Sequence, residues 1–137
     1  AFGKKIIDLG KNMETISRNR IEIDAMRLMV LKAAKAMDVL GNKEARIWVS
    51  KAKAMVPEKC CQIIDDAMQV HGATGISQWS PLPDMYMKQR TLRFADGPDE
   101  VHHNVIARAE RREFEASNER QAAARNATGG GMLFEGP

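Results

Sequence analysis

Apolar residues recur at helical spacing through the first half of the chain almost without a break, which excludes most sheet-based folds. Ile16, Ile23, Met26, Val30, Ala33, Met37 and Leu40 follow one another at steps of three, four and seven, while Arg18, Arg20, Glu22, Asp24, Arg27 and Lys32 fill other faces. No proline interrupts this stretch, so a helix is expected over 6–40. Gly41 stops it, and Asn42 is placed to cap the next. A second stripe runs from Ala45 through Trp48, Val49, Ala52, Met55, Val56, Cys60, Ile63 and Ile64 to Ala67 and Met68. Pro57 lies inside it, and because the stripe stays in phase beyond, the proline is expected to kink the helix, not end it.

The pattern then changes. Gly72, Gly75, Ser77, Ser80, Pro81 and Pro83 mark an irregular loop, followed by a short helix over about 83–92. A last helix is expected from Pro98 to about Ala116, with Val101, Val105, Ile106 and Ala109 facing inward. Residues 118–137 are polar, then Ala-rich, then Gly129-Gly130-Gly131; a frayed tail is expected, anchored if Met132, Leu133 and Phe134 meet an apolar surface. The fold class is therefore all-α, with two long antiparallel helices, a short one and a closing one.

Composition agrees. The 137 residues fit one domain, and 44% of them are hydrophobic. Only 5% are aromatic and nine are Met, which suits an aliphatic helical interior. The net charge of +3 is mild, and basic and acidic residues are interleaved, which argues against a nucleic-acid-binding stripe. Adjacent Cys60 and Cys61 point about 100° apart on a helix, so reduced thiols are expected and no disulfide. His102 and His103 diverge in the same way, and no metal site is expected. Nothing resembles a signal peptide, and no apolar run is long enough to span a bilayer.

The stretch with most chemistry in it is Arg90-Thr-Leu-Arg-Phe-Ala-Asp-Gly-Pro-Asp-Glu-Val-His102. Asp96 stands just outside a helix that opens at Pro98, with Asp99 and Glu100 in the first turn, where the helix dipole favours negative charge. A carboxylate at such a place is either a cap or a base aimed at something docked over the helix N-terminus, and chemistry alone favours the cap. Asp96 and Asp99 read as equally acidic and equally near the helix start. Arg90 and Arg93 flank the turn, and either is placed to pair with Asp96. Trp48 reads as a core residue and Trp79 as loop packing.

Two motifs, Gln69-Val-His-Gly-Ala-Thr-Gly75 and Ala95-Asp-Gly-Pro-Asp-Glu-Val-His102, resemble the C-terminal part of acyl-CoA dehydrogenases, in the branch with an aspartate where most members carry glutamate. A Phe2-Gly3-Lys4 start supports the likeness, which runs to about Glu113. The resemblance implies a helical bundle like the family's C-terminal four-helix domain, its first helix falling before Ala1. Residues 1–116 would be that partial domain and 117–137 a polar, Gly-rich tail. Three helices of four leave one apolar face to be covered by another chain or an upstream segment.

It also implies an activity: FAD-dependent α,β-dehydrogenation of an acyl-CoA thioester, as in fatty-acid oxidation. The electron acceptor would be an electron-transfer flavoprotein or oxygen, and the assembly a homo-oligomer, dimer or tetramer. By the same resemblance Asp96 is the catalytic base. Gly97 and Arg108 face substrate. Gln69, His71, Gly72 and Ala73 lie along the flavin nucleotide, often a neighbouring subunit's, and Pro98, Asp99 and Glu100 line its adenine side. Ala73 replaces a glycine common in relatives, and a His-Gln pair frequent near Leu9-Gly10 is missing. The implied compartment is the mitochondrial matrix or peroxisome in a eukaryote and the cytoplasm in a bacterium. The ending Phe-Glu-Gly-Pro is no peroxisomal signal. A helical oligomerisation domain without flavin chemistry is the alternative reading.

Overall fold

A computed structural model describes residues 2–127, and all its regular elements are helical. Helix α1 is Asn12–His71, α2 is Leu82–Leu92 and α3 is Asp99–Ala127; single 3-10 turns cover Ile6–Asp8 and Gly72–Ile76. The expected tail, with Met132, Leu133 and Phe134, lies outside the described residues.

Helix α1 is two arms joined at one residue. Gly41 has φ 77° and ψ 169°, the single non-helical residue within 12–71. Side chains other than hydrogen rarely enter that region, so glycine reverses the chain there without a loop. Asn42 makes no capping hydrogen bond, in contrast to expectation; the reversal is accomplished by the glycine backbone. The arms pack antiparallel through small side chains: Ala33, Ala36, Ala45 and Ala54 are buried, Ala45 completely. Lys59 Nζ meets Glu22 Oε1 at 2.9 Å across the pair, and Cys60 Sγ lies 3.8 Å from Met26 Sδ. Pro57 is buried and keeps helical dihedrals, so α1 continues through it. Trp48 is half-buried between the ammonium groups of Lys32 and Lys51, 4.9 and 5.1 Å from its ring centre.

Three boundaries differ from expectation. Residues 6–8 form a 3-10 turn instead of the first turn of α1, because Gly10 takes φ +57° between them. Asn12 Nδ2 ties that turn down by donating to the carbonyls of Ile6 and Leu9. Within the expected loop, Gly72–Ile76 winds into a 3-10 turn against α1. Helix α3 continues to Ala127, well past Ala116. Polarity does not end a helix when the residues are Glu, Arg, Gln and Ala, all strong helix formers. Glu113 and Arg120 also pair along it at 2.9 Å.

The core is thin. Met26, Cys61 and Ile64 are the larger buried apolar residues among those described, and no large side chain is fully enclosed. Ile16, Val30, Met37 and Leu40 of the expected inward stripe are exposed, together with Leu28 and Leu31. Trp79, expected to pack its loop, is 85% exposed.

Candidate active site

The turn between α2 and α3 is built around two consecutive residues of positive φ, Asp96 at 57° and Gly97 at 102°. Aspartate is one of the few side chains that enter the left-handed region readily. Gly97 is favoured by its φ, and a Cβ there would crowd the His102 ring, standing 3.3 Å from Nε2.

Four tethers hold this turn, and none uses the Asp96 carboxylate. The Asp99 amide donates to the Arg93 carbonyl at 3.2 Å, and Arg93 Nε donates to Asp99 Oδ2 at 2.5 Å. Lys53 Nζ, from the second arm of α1, donates to the Gly97 carbonyl at 3.2 Å. His102 Nε2 faces the Asp96 carbonyl oxygen at 3.3 Å, so this nitrogen carries the proton, and Nδ1 accepts from the Ser50 hydroxyl at 3.4 Å. Ser50 is itself buried.

Arg93 and Arg90 are therefore not partners of Asp96, correcting the expectation from sequence. Arg93 is committed to Asp99, and its guanidinium is held above its ordinary range first by that hydrogen bond. Arg90 stacks on Phe94, 4.5 Å from the ring centre, with Nη1 buried and unpartnered. Nor are Asp96 and Asp99 equivalent. Asp99 is 7% exposed, and its Oδ1 is buried without a partner, whereas Asp96 is exposed and its carboxylate makes no hydrogen bond. A capping role for Asp96 is also excluded, since the amide it would have accepted from, that of Asp99, turns back to Arg93.

Asp96 instead lines a cleft of about 350 Å³ between the Gly41 end of α1 and the start of α3. Met37, Val49, Val101 and Val105 form its apolar walls, while Arg46, Ser50 and His102 supply polar groups. Val101, expected to face inward, is half-exposed because it faces this cleft. Arg108 is exposed on α3, seven residues after Val101 and three after Val105, on the same helical face.

The other predicted group lies elsewhere. Gly72 caps α1 with φ +59°, and no atom stands within 4 Å of where a Cβ would project, so its backbone face is open. Gln69, His71 and Ala73 are exposed beside it, and Gln69 and Gly72 line a shallow depression of about 250 Å³ with Met68 and Ile76. His71 Nδ1 is taken up by the Ala67 carbonyl at 2.8 Å. Gly72 follows Ser50 by 22 residues, so this end of α1 is about 30 Å from the Asp96 cleft. Pro98 and Glu100 are exposed, but Asp99 can offer a ligand only its main chain. Sequence reasoning missed Lys53 and Ser50, whose contacts span the fold, and the role of Arg93, whose local pairing depends on which acid of the turn is buried.

Cys61 is buried and Cys60 half-buried, both as free thiols. Burial, then neighbouring Cys61, pushes the Cys60 thiol up. Burial pushes Cys61 up too, opposed by Arg93 and Arg90. The described residues hold no group of His, Cys, Asp and Glu suited to a metal ion, and no helix among them is long and apolar enough to cross a membrane.

Comparison with known proteins places this arrangement. Residues 1–110 match the family described as "Acyl-CoA dehydrogenase, C-terminal domain". The chain is 48% identical over 110 residues to "Probable acyl-CoA dehydrogenase FadE2" of Mycobacterium tuberculosis, covering 80% of this chain and 27% of that protein. It is 46% identical to "Acyl-CoA dehydrogenase family member 10" of Mus musculus, covering 80% of this chain and 10% of that one. A solved structure from Mycobacterium abscessus superposes with a TM-score of 0.81 at 45% identity, over 83% of this chain and 28% of that chain. The chain thus spans only a tenth to about a quarter of the curated relatives' length. Residues 1–110 therefore match the family's all-α C-terminal domain, and the chain belongs to the acyl-CoA dehydrogenase family.

Proposed function

We propose that this chain is the C-terminal part of an FAD-dependent enzyme that removes hydrogens from the α and β carbons of an acyl-CoA thioester, and that Asp96 is its base. One observation carries the reading. Asp96 is left untied at the edge of an apolar cleft, on a backbone that four tethers hold.

When bound, the flavin supplies the acceptor for the β-hydride. The chain's own part is positional and acid–base. A carboxylate oxygen of Asp96 takes the α-proton, and the Met37, Val49, Val101 and Val105 walls keep the acyl chain out of water. Gly97 gives the thioester a backbone without a Cβ to meet, and Arg108 lies further along the same face. The open backbone at Gly72, with Gln69 and Ala73, fits one end of a nucleotide cofactor. The roughly 30 Å from there to Asp96 favours a flavin shared between two copies of the chain, each giving one segment. Exposed Ile16, Leu28, Val30 and Leu31 supply apolar surface for such assembly. The oligomerisation-only alternative accounts for that surface but not for the untied carboxylate.

The compartment follows the host: mitochondrial matrix or peroxisome in a eukaryote, cytoplasm in a bacterium. Electrons would pass to an electron-transfer flavoprotein or to oxygen.

The test is Asp96→Asn in the complete enzyme. Flavin content and melting temperature should stay unchanged, because the carboxylate bonds to nothing. Flavin reduction by acyl-CoA should slow about a hundred- to ten-thousand-fold. Glu119→Gln, an exposed acid far along α3, is the control. Normal reduction by Asp96→Asn would sink the assignment.

A further inference from the structure

We propose that Arg93 and Asp99 are positioning residues that set the placement of the Asp96 carboxylate, although neither touches the cleft. This rests on the reading of Asp96 as the base. The pair closes the loop 93–99 twice, once through the main chain at 3.2 Å and once through the side chains at 2.5 Å, with Asp96 at its midpoint. Aspartate enters the left-handed region readily but is not confined to it, so φ 57° at Asp96 is held by the surroundings and not by the residue's own preference. Here the restraint falls on the two ends of the loop.

Three features show a strut and not a surface ion pair. Asp99 is nine-tenths buried, so its charge is little screened by solvent. Its Oδ1 has no partner, so the side-chain restraint falls on the single Nε–Oδ2 bond. Of the remaining tethers, those from Lys53 and His102 hold only carbonyl oxygens at the middle of the loop, so the Asp99 amide–Arg93 carbonyl bond is left alone to join its ends. Weakening the side-chain link leaves only that single main-chain bond to hold the span, so residues 94–98 relax from the left-handed geometry and the carboxylate swings away from the cleft.

In the complete enzyme, Asp99→Asn keeps a side-chain oxygen for Arg93, and Arg93→Lys keeps the charge, so each weakens the strut without emptying it. Both variants should retain flavin and melting temperature. The KM for acyl-CoA should stay unchanged, while the rate of flavin reduction falls about ten- to a hundredfold, as a displacement of about 1 Å at a reacting group does. The isotope effect with α-deuterated acyl-CoA should rise as proton abstraction comes to limit the rate. Independently of catalysis, amide exchange at 94–97 should quicken while α1 keeps its protection. A fall in rate of less than about tenfold overturns the proposal. So does loss of flavin and melting temperature in both variants, which would make the pair a folding element. Asp96→Asn run alongside separates the two readings: if it reduces flavin normally, the base assignment fails; if it is dead while the strut variants are fast, only the strut fails.

Discussion

Gly75 lies so close beneath α1 that a Cβ built on it would stand 2.4 Å from the Met68 carbonyl oxygen and 2.9 Å from the Met68 Cα. Both atoms are main chain and cannot rotate aside. The 3-10 turn Gly72–Ile76 is thus seated on the end of α1 by backbone against backbone, and it fixes where the loop toward α2 departs.

Gly75→Ala should therefore cost about 1–3 kcal/mol or more in denaturant unfolding, by overpacking. Gly72→Ala has open space but φ 59° and ψ −141°, a combination nearly reserved for glycine, and should lose about 1–3 kcal/mol through backbone strain alone. Asn should rescue neither position, since ψ −141° at Gly72 lies outside the left-handed helical region that Asn favours.

At Gly41, φ 77° and ψ 169° lie in a region nearly reserved for glycine. Gly41→Ala should destabilise the hairpin by about 1–3 kcal/mol. Spin labels on the outer ends of the two arms should then show a second population at longer separation. A single short distance in the variant would show that alanine is accommodated.

The thiols give a pH dependence whose sign is fixed. Cys60 and Cys61 are both raised in the fold from an ordinary value of 9.0, chiefly by burial. A raised pKa means that the folded state favours the protonated form. Their contribution is fully present below pH 9.0 and falls as pH rises from there through the raised values. The double variant Cys60→Ala, Cys61→Ala should flatten the alkaline limb of the stability profile. At neutral pH, both thiols should alkylate more slowly in the folded chain than after denaturation.

Trp48 is held between Lys32 and Lys51. Lys32→Gln should cost about 0.5–1 kcal/mol and shift the tryptophan emission. An unchanged spectrum would place the Lys32 ammonium elsewhere in solution.

The helical architecture was legible because an apolar stripe repeated at helical spacing, and Gly41 and Gly97 announced the reversals. The end of α3 was not, because 117–127 is polar, and exposed helices betray themselves by composition, not by an apolar stripe. At the site, Asp96 could be singled out by its neighbours in sequence. Its independence from Arg90 and Arg93 could not, since those partnerships depend on which acid becomes buried. Asp99 was the one, though its sequence setting differs little from that of Asp96.

The single-residue reversal at Gly41 has a consequence for how such a chain can vary in length. Glu22, 19 residues before the reversal, meets Lys59, 18 residues after it. No loop stands between the arms to absorb an extra residue. One insertion in either arm would rotate everything outside it by about 100° and turn the alanine seam away from its partner. Indels are therefore tolerable only in compensated pairs or beyond α1, and 77–81, between the 3-10 turn and α2, is the natural place for them.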